Sequence, residues 1–294
     1  MIPRTFKLIN SNGETLDITS KTVFFHEPKG LGFTKTNSYY RIGSRYIMVD
    51  SYPEQIKISG KVALVGENPY ESYFNFIKFC ELTPLYLLYT PRPDAGEEYY
   101  SGRVYRLPVV LSAVEKTELE LQGHLDVSVT FEALSPWFRY EVAANTSEDA
   151  EPLIWGIRWG IRFGAYGFKN GIVSDGASNS PSRLTIYGPI KNPKWKHFVN
   201  GNLFGEGRFN TEEVGDVEIN ENEMIMIDNT KDPFTIVKCS KAGDILEDLY
   251  PKSDFATKRF LFLQQGKNTI EIRDHVNGIS NNARLEAYLY YDTV

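Results

Sequence analysis

Residues 124–133 read HLDVSVTFEA, and they decide the fold. Leu125, Val127, Val129 and Phe131 alternate with Asp126, Ser128, Thr130 and Glu132. A period of two places the first set on one face of an extended chain and the second on the other, which predicts a half-buried strand. Upstream, QIKISGKVALVG (residues 55–66) sets Ile56, Ile58, Val62 and Leu64 against Lys57, Ser59 and Lys61. Near the end of the chain, Leu285, Ala287, Leu289 and Tyr291 face away from Arg284, Glu286, Tyr288, Tyr290 and Asp292. Between them lie LTIYGPI (184–190), VEINENEMIMID (217–228), FTIVKC (234–239) and FLFLQQGKNTIEIRD (260–274), all with strand character. The turn-forming clusters NSNGE (10–14), IGSR (42–45), RPDAGEEYYSG (92–102) and GASNSPS (176–182) separate such segments, as an antiparallel sandwich requires.

One segment reads as a helix. Asn68 stands at its start with Pro69 in the first helical position and Glu71 placed to complete a capping box. Tyr70, Tyr73, Phe74, Ile77 and Glu81 follow at helical spacing, so this mostly aromatic face is expected to lie on a sheet. Pro84 disfavours helical geometry at Thr83 and ends the segment there.

The chain of 294 residues is long enough for two ordinary domains, and its 41% hydrophobic and 24% charged residues suit a packed core. The run VAANTSEDAEP, residues 142–152, is small, polar and acidic together, and the domain linker is placed there. The expected domains are residues 1–140, a β-sandwich with one packed α-helix, and residues 141–294, a jelly-roll or similar β-sandwich. The fold class is mainly β. After the linker, LIWGIRWGIRFGAYGF (153–168) repeats Gly156, Gly160 and Gly164 at the spacing of a membrane dimerisation motif, but Arg158 and Arg162 lie between them. As a strand it sorts Trp155, Ile157, Trp159, Ile161 and Phe163 onto one side, and the strand is preferred.

The net charge of −6 argues against a protein that grips nucleic acid by neutralising phosphates. Cys80 and Cys239 are far apart in a large chain and are read as two buried free thiols, which suits a reducing cytoplasm. The amino terminus has no apolar signal region and no run of about 18 apolar residues occurs, so neither signal-directed secretion nor a membrane span is expected.

Catalytic patterns are missing. His26, His124, His197 and His275 are dispersed, with no HExxH, Cys-x-x-Cys, nucleophile elbow or P-loop. The expectation is no enzyme, no metal and no cofactor, although a pair of carboxylates meeting only in space is invisible to counting. The sequon Asn145-Thr146-Ser147 carries no weight without secretion. Trp195, Tyr288 and Tyr290 are candidates for stacking on a sugar ring; the bland alternative makes Trp195 a loop anchor and the tyrosines a sheet cover or a subunit contact. Tyr39, Tyr40, Tyr99 and Tyr100 are candidates for a subunit interface, since aromatic residues are enriched there. Asp94, Glu97 and Glu98 mark a hairpin tip that is either solvated or docked on a neighbour.

Taken in order, these landmarks resemble the siphophage distal tail protein family along nearly the whole chain. FKLINSNGETLDI (6–18) resembles that family's opening strand, turn and strand, and it is followed by a sheet and the aromatic helix NPYESYFNFIKFCE (68–81). LYLLYTP (85–91), a charged hairpin, YRLPVVLSAVEKTELE (105–120) and LDVSVTFEALSPWF (125–138) then resemble the close of the ring-forming domain at Ser135, Pro136, Trp137 and Phe138. IYGPIKNPKWKHFVNG (186–201), with Gly188, Pro189, Asn192, Pro193 and Trp195, and LQQGKNTI (263–270) are similar to the sandwich of phage tail proteins. The resemblance implies a structural, non-enzymatic virion protein of the tail tip or baseplate, assembled in the host cytoplasm. It implies a homo-oligomeric ring, usually a hexamer, built by the first domain, with galectin-like or carbohydrate-module-like sandwiches projecting outward. Its partners would be the tail tube protein and tail-tip, fibre or receptor-binding proteins, with DNA only as passing cargo and no membrane. The rival reading is a carbohydrate-binding adhesin that uses the second sandwich, and a hydrolase is a distant third.

Overall fold

The computed structural model describes residues 4–91, 103–118, 123–145, 171–176, 179–274, 278–279 and 282–294. It contains two compact units, Met1–Arg139 with Tyr291–Val294, and Tyr140–Tyr290. Strands dominate both, as the period-two patterning requires.

In the first unit the strands are β1 (Thr5–Ile9), β2 (Thr15–Asp17), β3 (Val23–Lys29), β4 (Lys35–Ile42), β5 (Arg45–Pro53) and β6 (Lys57–Val65). Helix α1 (Pro69–Glu81) and strands β7 (Leu85–Thr90), β8 (Tyr105–Glu115) and β9 (His124–Ala133) follow, and β10 (Trp137–Asn145) runs on past the unit boundary. All pairings are antiparallel, in the order β2-β1-β7-β8-β9-β6-β3. β8 pairs β7 through Tyr105–Val109, β9 through Val109–Glu115 and β10 at Arg106, and its ladder with β9 carries a bulge between Leu111 and Ala113.

The alternation at β9 holds residue by residue: Leu125, Val127, Val129 and Phe131 are buried and their neighbours are not. β6 does the same with Ile58, Val62 and Leu64. Phe6, Leu8, Phe25, Leu85, Leu87, Leu107 and Trp137 complete this core. The opening turn is held by Asn10, whose side-chain oxygen accepts the N–H groups of Asn12 and Glu14 at 3.1 and 3.0 Å.

Helix α1 begins as read, with the Asn68 side chain accepting the Glu71 N–H at 3.2 Å and donating to the Glu71 carboxylate at 3.1 Å. Its buried face is a correction. Pro69, Phe76 and Cys80 are the buried residues, Tyr73 and Ile77 are half-buried, and Phe74 is 58% exposed. Positions 69, 73, 76 and 80 keep a tighter helical stripe than the set through Phe74, and packing selects that stripe.

The second unit is built from β11 (Gly171–Ser174), β12 (Ser180–Tyr187), β13 (Ile190–Lys191), β14 (Lys194–Val199), β15 (Asn202–Gly207) and the single helical turn α2 (Thr211–Val214). Then come β16 (Glu218–Ile219), β17 (Glu223–Asp228), β18 (Thr235–Ser240), β19 (Ile245–Asp248), β20 (Phe262–Leu263), β21 (Gly266–Asp274), β22 (Gly278–Ile279) and β23 (Ala283–Tyr291). One antiparallel sheet runs β19-β18-β17-β12-β23, a second runs β11-β21-β14-β15, and β13 pairs β16. β23 alternates as read, with Leu285, Ala287, Leu289 and Tyr291 buried.

The proposed linker is partly corrected. Val142–Asn145 belong to strand β10, because a run of small residues can still pair in a ladder; residues 146–152 lie outside the described residues, as do 153–168. The last four residues return to the first unit, where Tyr291 is buried, edge-on to Tyr105 at 5.0 Å and beneath the Arg139 guanidinium at 5.7 Å. Cys80 and Cys239 are free and buried, and burial pushes the Cys80 thiol up to about 12, so it carries no nucleophilic thiolate at neutral pH.

Candidate functional site

β4 and β5 form a two-stranded ribbon that pairs with no other strand among the described residues. The register opposes Tyr39 with Met48, Tyr40 with Ile47 and Arg41 with Tyr46, with Gly43 at φ +62° in the turn between them. Its base closes through a bond from the Glu54 N–H to the Thr34 carbonyl at 2.8 Å. Every residue of β5 is exposed, and in β4 only Thr36 is partly covered. Tyr40 is 67% exposed and Ile47 52%, and Tyr39, Ile42, Tyr46, Met48, Val49 and Tyr52 are open to solvent as well.

Two features of that ribbon call for a partner. An isolated hairpin is marginally stable in water, and contiguous exposed apolar surface of this kind marks an interaction site. The apolar residues also occupy both faces, since neighbours along a strand point opposite ways. The ribbon therefore has the composition of an interface core, rich in Tyr and Met.

Of the interface candidates, Tyr39 and Tyr40 sit side by side on this ribbon, whereas Tyr99 and Tyr100 lie outside the described residues, as do Asp94, Glu97 and Glu98. Sequence reasoning missed Ile42, Tyr46, Ile47, Met48 and Val49. The signal was there: YIMV follows the IGSR turn as an unbroken apolar run, without the polar alternation of a half-buried strand.

The sugar-stacking candidates are not brought together. Trp195 lies on β14, in the second sheet of its unit, and is 0% exposed, so its ring has no face to offer a sugar and that reading is corrected. Its indole N–H donates to the Arg259 carbonyl at 3.0 Å, and Phe209 meets its ring edge-on at 5.8 Å. Across the ladder stands Gly207, where an added Cβ would come within 2.3 Å of the ring; the glycine is what makes room for the indole. Tyr288 and Tyr290 are half-buried on β23, with Tyr288 edge-on to Tyr140 at 5.3 Å.

The charged groups form structural networks. Asp228 accepts from the Arg183 guanidinium at 2.7 Å and from the Thr230 hydroxyl at 2.6 Å. Burial pushes the Asp228 carboxyl up, but the Thr230 and Arg183 contacts outweigh it and hold the group below the usual carboxylate range. Glu286 lies 3.6 Å from Arg183 and 2.9 Å from Arg284, and accepts the Tyr140 hydroxyl. His26 is bonded to Asp126 at 2.9 Å, and His197 is buried against Asn268 at 3.0 Å. Among the described residues no three His, Cys, Asp or Glu side chains gather at metal-binding distance, and His275 lies outside them.

Residues 5–134 match the family model described as the distal tail protein, N-terminal domain. Over that span the chain is similar to the N-terminal domain of the phage distal tail protein family. The matched span contains the whole sheet of the first unit, the helix and the exposed ribbon. Two solved structures resemble the full length. A chain of the phage P2 baseplate in its activated conformation with Ca is 19% identical, with a TM-score of 0.60 over 100% of both chains. The SPP1 Dit protein, described as a hub adsorption apparatus of phages infecting Gram-positive hosts, is 8% identical, with a TM-score of 0.60 over 96% of this chain and 98% of that one. At such identities the likeness is one of fold. No curated protein sequence matches. The chain is thus β-rich, with a fold shared with these phage tail proteins.

Proposed function

We propose that this chain is a phage distal tail protein, six copies of which close a ring that continues the tail-tube channel, joins tube to tip and carries the adsorption machinery on its rim. The role is architectural, without catalysis, and the partners are the tail tube protein on one side and tip or receptor-binding proteins on the other. Residues 1 to about 140 build the ring and the second unit projects from it. DNA passes through the bore as cargo.

The single observation that supports this most is the β4–β5 ribbon. Its apolar side chains stay about half to two-thirds exposed, so a neighbouring copy that receives the ribbon would remove them from water. A ribbon on one patch and its receptor on another make a heterologous contact, and repetition of such a contact closes into a ring when the rotation divides the circle. Closure also leaves no apolar ribbon exposed, which an open chain of subunits would do at one end.

Light scattering and negative-stain electron microscopy of the purified full chain test the proposal. The expected result is a closed annulus whose mass is an integral multiple of the protomer and which dissociates on dilution. A monomer at every concentration would count against it. The adhesin reading loses one of its three aromatic residues, since Trp195 is inside the fold.

A further inference from the structure

The β4–β5 ribbon carries a cation at its tip and carboxylates at its base. At the tip the register sets Ile42 against Arg45, so Tyr40, Ile42, Arg45 and Ile47 share one face. Arg45 is exposed and belongs to no ion pair among the described residues. Arg41, on the opposite face, already donates from its Nε to the Gly43 carbonyl at 2.9 Å. Residues 39–49 contain no acidic side chain, so the tip offers an uncompensated guanidinium between apolar neighbours.

At the base, the end of β5 borders a groove of about 250 Å³ in the first unit. Its apolar walls are Phe33, Ile56, Leu134 and Pro136, and its charges are Glu54 and Asp292, with no cation in the lining. Phe33 is 50% and Leu134 62% exposed. Glu54 accepts the Thr36 hydroxyl, Lys35 lies 5.2 Å above the Phe33 ring, and neither carboxylate enters an ion pair among the described residues. The floor is fixed in advance: the Gln55 side chain donates to the Ala133 carbonyl at 2.9 Å, and the Ala133 N–H to the Ile56 carbonyl at 2.9 Å. A receptor already ordered loses little freedom when it is filled. Its volume falls below the roughly 300–1,000 Å³ of small-molecule pockets and suits a side chain or two.

The ribbon cannot fill its own groove. β5 has nine residues, and at about 3.3 Å per residue its two ends stand about 25 Å apart. Arg45 of one copy therefore reaches only the groove of another. Complementary charge across such a contact steers the encounter and fixes its register.

We propose that the ribbon tip of one copy seats in this groove of the next, with the Arg45 guanidinium facing the Glu54 and Asp292 carboxylates and Ile42 against Phe33 and Leu134. The contact rests on the ring reading and supplies its receptor. Every copy gives at one end of its ribbon and receives at the other, so the contact is heterologous and repeats.

Charge reversal in the full chain, with mass read by light scattering against concentration, tests the seat. Arg45→Glu and Asp292→Arg should each raise the concentration for half assembly at least tenfold, with the melting temperature unchanged because both positions are exposed. The variant carrying both should recover most of that loss. Ser44→Cys together with Leu134→Cys gives a second reading: oxidation should link chains into trimers and longer multimers on a denaturing gel, whereas either cysteine alone stops at dimers. Assembly undiminished by Arg45→Glu, with no product beyond a dimer from the paired cysteines, overturns the seat and leaves the ring reading standing. A double reversal no better than the single ones overturns the pairing of Arg45 with Asp292. A native chain that stays monomeric at every concentration overturns both the seat and the ring.

Discussion

Tyr40 and Ile47 face each other across the ribbon, and replacing both by threonine separates assembly from folding. Threonine keeps strand propensity, so the ribbon itself is disturbed little. Tyr40 is 67% and Ile47 52% exposed in the single chain, so one half to two thirds of each side chain remains for a partner to cover. Full burial of a large apolar side chain contributes about 1.5–3 kcal/mol, so the uncovered portions contribute about 1–2 kcal/mol each at every contact. The double variant therefore loses about 3 kcal/mol per contact, or roughly a hundredfold in the association constant, at 1.4 kcal/mol for each factor of ten. Because neither side chain supports the core, the melting temperature should stay within what an exposed substitution changes, about 0.5 kcal/mol. Mass by light scattering against concentration reads the first effect and calorimetry the second. An unchanged assembly curve would refute the assignment of the ribbon as the contact, and a collapsed melting transition would show that it belongs to the core instead.

Other consequences follow from particular contacts. Gly207→Ala drives a methyl group to within 2.3 Å of the Trp195 ring, and overpacking of that kind costs about 1–3 kcal/mol, measurable by urea denaturation followed through tryptophan fluorescence. Asp228→Asn leaves the Arg183 guanidinium with Glu286, at 3.6 Å, as its remaining charged partner and should lower stability by about 2 kcal/mol, read as a lower melting temperature of the second unit. Removing Tyr291–Val294 takes a buried aromatic out of the first unit and costs it about 3 kcal/mol; a chain in which a flexible linker replaces residues 141–290 but keeps those four residues should still assemble, as light scattering would show. His197 has its pKa lowered in the folded state, so its contribution is whole above the unfolded value of about 6.5 and is lost as pH falls through the lower native value. Melting temperatures taken from pH 7 to pH 5 should therefore decline, and less steeply in His197→Gln.

What the sequence disclosed depended on whether the deciding information was local. The faces of β6, β9 and β23 are written in alternate residues, and the start of α1 in Asn68, Pro69 and Glu71, because backbone geometry alone sets those relations. The buried face of α1 is rotated by about a quarter turn from the expected one, since Phe74 and Phe76 are equally apolar and only the sheet beneath them chooses Phe76. Trp195 looked available because nothing near it in sequence reveals Gly207 across the ladder or Phe209 beside the ring. Strand character at Val142–Asn145 was hidden by small side chains, whose pairing depends on partners distant in the chain. The ribbon lay between these cases: its turn was legible, but its independence from the main sheet is a matter of topology.

The central claim is one of place and number, and labelling the intact phage particle tests it most directly. Gold-conjugated antibody against this chain, viewed by electron microscopy, should mark a single band where the tail tube meets the tip, with about six copies per particle by quantitative mass spectrometry. Label spread along the tail or over the fibres, or a copy number that fits no closed ring, would contradict the account.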